Sequence, residues 1–242
     1  MSWPYSLVQW WWGCIDWLYP PQCGGCNRPG YRWCPDCQDR VQTVSGSLCE
    51  ACGIPISGGT LCPSCREERP AFRALRSWAV FEEPVRSALH RLKYRRNMGL
   101  GEALAHPLAD FAIRQGWRVD LVTPVPLGRR RLRERGYNQV ALFAWPLAVF
   151  AGWTYAPGAV RRIRETRSQV GLSAEERRQN MQAAFRADVL QVKGKTVLLV
   201  DDVATTGATL SACAQAFLEA GAQEVVALTV ARALPHHGLK IV

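Results

Sequence analysis

A chain of 242 residues, 48% hydrophobic and 21% charged, can hold one α/β core plus a small module and is too apolar to be disordered. Its formal charge of +10 sits in the middle: residues 1–85 carry a net −1, residues 86–178 a net +11, and residues 179–242 none. An excess so placed implies an anionic partner such as phosphate or nucleic acid, or else a solvated arginine face, and says nothing about fold.

Five of the ten tryptophans fall in the first 17 residues. Asp16, Gln9, Ser6 and Pro4 interrupt this apolar start before it reaches the roughly 20 residues that a membrane-spanning helix needs. It lacks the basic start and small-residue cleavage site of a secretion signal. It reads either as a helix packed on the chain's own first module or as an interfacial helix displaying Trp10, Trp11, Trp12 and Trp17. No stable membrane insertion is expected, and the expected compartment is cytoplasmic.

Eight of the ten cysteines then form four Cys-x-x-Cys pairs: Cys23 and Cys26, Cys34 and Cys37, Cys49 and Cys52, Cys62 and Cys65. Such a turn aims two thiolates at one tetrahedral Zn²⁺, and a second turn completes the site. Two ribbons in series are the simplest assignment, the first four cysteines binding one structural Zn²⁺ and the last four another. An interleaved pairing satisfies the same spacing. Gly24, Gly25, Gly53 and Pro63 supply turn chemistry. A disulfide framework is not expected of a cytoplasmic chain. Residues 20–68 hold few large aliphatics, so the metal is expected to contribute their folding energy. Cys213 reads as core.

From about Ala71 the pattern changes to alternating apolar strands and helices. Strands are expected over residues 76–81, 119–125, 196–200 and 224–230. Helices are expected over 84–95, 101–115, 137–150 and 209–220. This alternation predicts an α/β fold, a mostly parallel sheet flanked by helices. The expected division is residues 1–70 for the N-terminal helix and double ribbon, and 71–242 for the α/β domain.

The segment Val197-Leu198-Leu199-Val200-Asp201-Asp202-Val203-Ala204-Thr205-Thr206-Gly207-Ala208-Thr209 places two carboxylates at the end of a buried strand, followed by a small-residue loop and a helix. Backbone N–H groups and threonine hydroxyls of such a loop ring a phosphate, helped by the positive end of the helix. Gly207 permits close backbone approach. Asp201 and Asp202 can accept hydrogen bonds from the vicinal hydroxyls of a ribose. The segment resembles the phosphoribosyl pyrophosphate (PRPP) motif of type I phosphoribosyltransferases. Purine-salvage members carry an Asp base where this chain has Thr205, so 6-oxopurine salvage is not expected.

Two further blocks extend the resemblance: Val122-Thr123-Pro124-Val125-Pro126-Leu127-Gly128-Arg129 running into Arg130 through Gln139, and the later series Arg164, Thr166, Gln169, Leu172, Arg177 and Asn180. With the four cysteine pairs, these resemble the ComF family of ComFC- and GntX-type competence proteins, a double zinc ribbon ahead of a type I phosphoribosyltransferase-like domain. The resemblance implies PRPP binding by Asp201, Asp202, Ala204, Thr205, Thr206, Gly207, Ala208 and Thr209. It implies a pyrophosphate loop at Pro126, Leu127, Gly128 and Arg129, with Mg²⁺ accompanying PRPP. It also implies a lid carrying Arg164, Thr166, Gln169, Arg177 and Asn180. The sequence Ser173-Ala174-Glu175-Glu176 independently reads as a capping-box helix start.

The family resemblance implies a competence protein that binds single-stranded DNA during natural transformation, with competence helicase or recombination proteins as partners. Single strands are held by basic grooves with aromatic platforms. Lys93, Tyr94, Arg95, Arg96, Arg130, Arg131, Arg133 and Arg135 supply both ingredients. Two other readings stay open: an active phosphoribosyltransferase with an unidentified acceptor and no assigned catalytic residue, and a non-catalytic PRPP-sensing regulator.

Overall fold

In the computed structural model, the described residues are 20–164 and 184–234. In chain order the strands are β1 (Ala74–Val80), β2 (Leu121–Pro124), β3 (Thr154–Tyr155), β4 (Val160–Arg162), β5 (Phe185–Ala187), β6 (Thr196–Ala204) and β7 (Glu224–Arg232). The helices are α1 (Pro35–Asp39), α2 (Pro63–Glu67), α3 (Val85–Tyr94), α4 (Gly99–Arg114), α5 (Arg129–Arg135), α6 (Ala141–Ala151), α7 (Val189–Val192) and α8 (Ala208–Glu219). The Trp-rich start and Cys14 lie outside the described residues. So do the lid positions Thr166, Gln169, Arg177 and Asn180 and the capping-box sequence at Ser173.

Five strands form one parallel sheet in the order β1-β7-β6-β2-β3, while β4 and β5 pair antiparallel beside it. Side chains alternate across a strand, so β6 divides its residues between two cores. Val197 and Leu199 pack with Leu210 and Phe217 of α8 and with Phe185 of β5. Leu198 and Val200 pack with Leu92 of α3, Leu104 of α4, and Phe143 and Leu147 of α6. Each fully buried Leu or Phe on these faces stabilises the sandwich by about 1.5–3 kcal/mol. Helices α4 and α6 approach closely because Gly101 faces Leu142, where a Cβ would stand 2.6 Å from the leucine Cβ.

The chain leaves β2 toward β3 and leaves β6 toward β7, so the connections diverge between β2 and β6. In open α/β sheets that switch point marks the ligand crevice. The strands on either side of β6 pair with it over unequal lengths. The β2–β6 ladder ends at Pro124 and Val200, whereas the β6–β7 ladder continues to Ala204 and Arg232. The sequence alone ends this strand at Val200; the strand instead carries both aspartates, because β7 keeps pairing alongside them.

Each cysteine module ends in a short helix begun by proline directly after the third cysteine, Cys34 in one and Cys62 in the other. Proline is preorganised for a first helical position and lacks only an N–H that would go unused there. Between the modules the chain lies along β1. Thr43 pairs antiparallel with Ala79, and the Val80 N–H donates to the Gln42 carbonyl at 2.8 Å. The exposed rim of the sheet is therefore covered on the β1 side.

Candidate functional site

The four-cysteine groups assemble in series. Cys23, Cys26, Cys34 and Cys37 hold their Sγ atoms within 4.8 Å of one another, and Cys49, Cys52, Cys62 and Cys65 do the same. The interleaved alternative is excluded by this geometry. A tetrahedral Zn²⁺ with bonds of about 2.3 Å places its sulfurs about 3.8 Å apart. The observed Sγ–Sγ separations are 3.6 Å for Cys23–Cys37, Cys26–Cys34 and Cys52–Cys62. Two tetrathiolate donor sets of that size fit two structural zinc ions.

Arginines from the α/β domain reach the backbone of both cysteine clusters, a link that the sequence does not reveal. At the second cluster, Arg232 of β7 is buried and donates to the Cys52 carbonyl at 3.0 Å. Arg76 of β1 donates to the carbonyls of Cys49 and Glu50. At the first cluster, Arg91 of α3 donates to the Cys23 carbonyl at 3.2 Å and to Asn27 Oδ1. Groups around a metal site that neutralise and orient its ligands are part of its stability. Gly24 and Gly25 lie in the turn that the sequence implies, and they have a second function. A Cβ on Gly24 would stand 2.4 Å from Leu100, and one on Gly25 would stand 2.7 Å from Pro84. They let the first ribbon lie flat on the helices.

In the crevice the two aspartates are not equivalent. Alternation along β6 sends Asp202 toward α3 and α6, and Asp201 toward α8. Asp202 is buried, and its Oδ2 accepts the Gln139 amide at 2.8 Å and faces the Lys93 ammonium at 3.0 Å. Asp201 Oδ1 accepts the Asp202 backbone N–H at 2.9 Å. Burial, and then the neighbouring Asp202 charge, push the Asp201 carboxyl up to about 8. A carboxylate paired to an ammonium thus lies next to one that carries a proton near neutral pH. Together they offer an acceptor and a donor.

Beyond them Ala204 is buried, Thr205, Thr206 and Ala208 are exposed, and Thr209 is half-buried. Gly207 is the N-cap of α8 at φ +82°, a left-handed conformation that glycine adopts without strain. Thr206 Oγ1 accepts the Ala208 N–H at 3.3 Å. Across the crevice, Pro126, Leu127 and Gly128 follow β2 half-buried, and Arg129 opens α5. Asn138 ties this segment down by donating to the Val125 carbonyl at 2.9 Å and accepting the Val140 N–H at 3.0 Å. Arg164, the described member of the lid set, is exposed just past β4.

Helix α5 buries none of its seven residues, and it carries Arg129, Arg130, Arg131, Arg133 and Arg135. The helix and the residues just after it meet the end of α3 through two contacts. The Arg135 guanidinium lies 5.2 Å from the centre of the Tyr94 ring, and the Tyr137 hydroxyl donates to the Leu92 carbonyl at 2.5 Å. Tyr94, Arg95 and Arg96 are exposed. Arg96 holds φ +53°, unusual for a residue with a Cβ. Lys93, grouped with this surface from sequence, turns inward to Asp202. Its position is encoded: it lies four residues after Leu89, on the buried stripe of α3. Gln139 is invisible to sequence reasoning, since a glutamine beside an apolar run carries no signal for the partner it meets.

Comparison with known proteins gives two family matches: the double zinc ribbon domain at residues 14–66 and the phosphoribosyl transferase domain at residues 157–239. The chain is 35% identical over 194 residues to the DNA utilization protein YhgH of Salmonella typhimurium, covering 78% of this chain and 85% of that protein. It is 30% identical to Competence protein F of Haemophilus influenzae, covering 83% and 90% of the two chains. It is 26% identical to Competence protein ComFC of Bacillus subtilis, covering 85% and 86%. No helix among the described residues is long and apolar enough to cross a membrane.

Proposed function

The chain belongs to the ComF family, and from that premise we propose that it handles single-stranded DNA in a competence-related role. Its basic surface would hold the strand, and the crevice at Asp201 and Asp202 would hold a phosphoribosyl ligand. The observation that carries the proposal is α5, an exposed helix with five arginines joined by Arg135 to the exposed Tyr94 ring. Guanidiniums neutralise phosphates without reading sequence, and an aromatic face accepts any base. Relatives named for DNA utilization and competence support the same reading.

The test is oligothymidylate binding followed by fluorescence anisotropy across a salt series. Changing Arg130, Arg131 and Arg133 to glutamate should weaken binding at least tenfold and flatten the salt dependence by about 0.7 log units per lost phosphate contact. Unchanged affinity in that variant would remove α5 from the interface and the proposal with it.

A second reading, PRPP binding with Mg²⁺, is favoured by the geometry around β6. The paired aspartates precede a helix N-terminus whose N-cap Gly207 takes a left-handed turn at φ +82°. Asp201 and Asp202 would meet the ribose hydroxyls, the loop from Thr205 to Thr209 the 5′-phosphate, and Arg129 the pyrophosphate. Bound Mg²⁺ would neutralise the pyrophosphate. Calorimetric titration with PRPP and Mg²⁺ should show binding that Asp201→Asn with Asp202→Asn abolishes. Pyrophosphate release on adding an acceptor would distinguish a transferase from a sensor.

A further inference from the structure

A cavity of about 800 Å³ opens between the first ribbon and α3, away from the crevice at β6. Its volume falls among ligand pockets of about 300–1,000 Å³. Its lining is not that of an apolar pocket. Gln22 and Asn27 come from the ribbon, Arg86, His90 and Arg91 from α3, and Arg95 and Asn97 from the turn that follows. Three guanidiniums share the lining with a single carboxylate, that of Glu83, which pairs with Arg86 at 3.0 Å and leaves a net positive charge. Among the described residues no aliphatic or aromatic hydrocarbon side chain lines it, and its charge favours an anionic occupant.

Two features make this more than a charged hollow. Arg91 is already fixed, by Asn27 Oδ1 and by the Cys23 carbonyl at 3.2 Å, so part of the ordering cost of binding is met before a ligand arrives. The cavity also continues into the surface already described. His90 packs against Tyr94 with ring centres 4.8 Å apart, and Tyr94 lies under Arg135 of α5. Residues 86, 90 and 94 recur at the four-residue spacing that shares one helix face. One stripe of α3 therefore leads from the arginine helix, over two adjoining rings, into the cavity.

We infer that this cavity seats consecutive nucleotides of a single DNA strand, making the first zinc ribbon one wall of the nucleic-acid site. This rests on the single-strand reading above and adds a place to it. Phosphates meet Arg86, Arg91 and Arg95, base faces meet His90 and Tyr94, and the amides of Asn27 and Asn97 reach base edges. A duplex keeps its base faces stacked and its pairing edges engaged, so it cannot use either feature.

The test uses the full zinc-loaded chain and a twenty-residue oligothymidylate carrying 5-iodouracil. Photo-cross-links should fall on residues 86–97 and on the ribbon segment 20–29. His90→Glu on one wall and Gln22→Glu on the other should each weaken oligonucleotide binding at least tenfold, with two zinc ions per chain retained. Because the variants lie on separate elements, misfolding of one leaves the other as the test. Cross-links confined to α5, with both variants binding normally, would overturn the cavity assignment and leave the α5 surface standing. Absence of any binding by the unaltered chain would overturn both. Protection of the cavity by thymidine monophosphate alone, with no oligonucleotide cross-link there, would mark it as a small-molecule site and overturn the inference.

Discussion

The two zinc ribbons share ligands, spacing logic and even backbone conformation, yet they are attached in opposite ways. The residue after the second cysteine is left-handed in both, Asn27 in the first and Gly53 in the second, each at φ 68°. Gly53 faces the sheet, where a Cβ would stand 2.3 Å from the Leu75 carbonyl oxygen, and the Leu75 N–H donates to the Ala51 carbonyl at 2.7 Å. Asn27 faces the cavity and uses its side chain to hold Arg91. The second ribbon is thus an extension of the sheet, with the buried Arg232 as its counter-charge. The first packs Gly24 and Gly25 closely on the helices, adds the partly exposed contact of Arg91 with Asn27, and leaves a gap beside it. One metal chemistry gives a structural joint in one place and a wall with usable side chains in the other.

The comparison can be broken most severely through the metals. A structural zinc site ties on the order of 10 kcal/mol of binding free energy to folding. Cys52→Ser should therefore remove one zinc and abolish the cooperative unfolding of the sheet. Cys26→Ser should also remove one zinc but leave that transition in place. Zinc content with urea denaturation followed by near-ultraviolet circular dichroism reads both; equal losses would make the ribbons equivalent.

The arginines sharpen it next. Arg232→Met leaves the second cluster's charge uncompensated in a buried setting and should cost about 3–5 kcal/mol. Arg91→Ala, which removes two hydrogen bonds at a partly exposed position, should cost about 1–2 kcal/mol. Urea midpoints of the two variants check the ratio. A smaller contrast comes from the left-handed residues. Gly53→Asn should lower stability by about 2 kcal/mol or more, since the side chain meets backbone, whereas Asn27→Gly should change it by less than about 1 kcal/mol.

A pH-dependent effect lies in the crevice, which serves as a control on both ribbons. Asp201 keeps its proton in the folded chain until about pH 8, whereas the unfolded chain loses it near the ordinary value of 3.8. Between those values the folded state binds the extra proton, so this group's contribution to stability falls as pH rises and levels off above pH 8. Comparing urea midpoints of the unaltered chain and Asp201→Asn from pH 5 to 9 isolates that contribution. Parallel curves would show that the carboxyl is not held protonated.

Much of this architecture is legible in the sequence because it rests on patterns with a period. The parallel sheet follows from buried runs separated by helices, and the zinc clusters from four pairs at metal-ligand spacing. What escapes the sequence depends on neighbours distant along the chain. Two adjacent aspartates look like a loop, which cuts β6 short at Val200. Lys93 on α3 and Gln139, the latter 63 residues away, make Asp202 acceptable inside the fold. Lys93 itself reads as surface because a run of basic residues hides which member lies on the apolar stripe. Arg76 and Arg232 are unremarkable strand residues until the ribbon is placed against them. The glycines at 24 and 25 are legible as turn residues, but their close approach to Leu100 and Pro84 is not, because room for another chain segment has no local signature.

The segment between the ribbons has a consequence for how this protein can be divided. Thr43 and Gln42 occupy hydrogen-bonding groups of β1 that would otherwise face solvent at the sheet's rim. An uncapped strand of that kind recruits other chains. A fragment starting at β1 would expose it, together with the buried guanidinium of Arg232, and would self-associate rather than behave as an autonomous unit. The ribbons therefore act as the sheet's selvedge, the finished border without which the fabric frays.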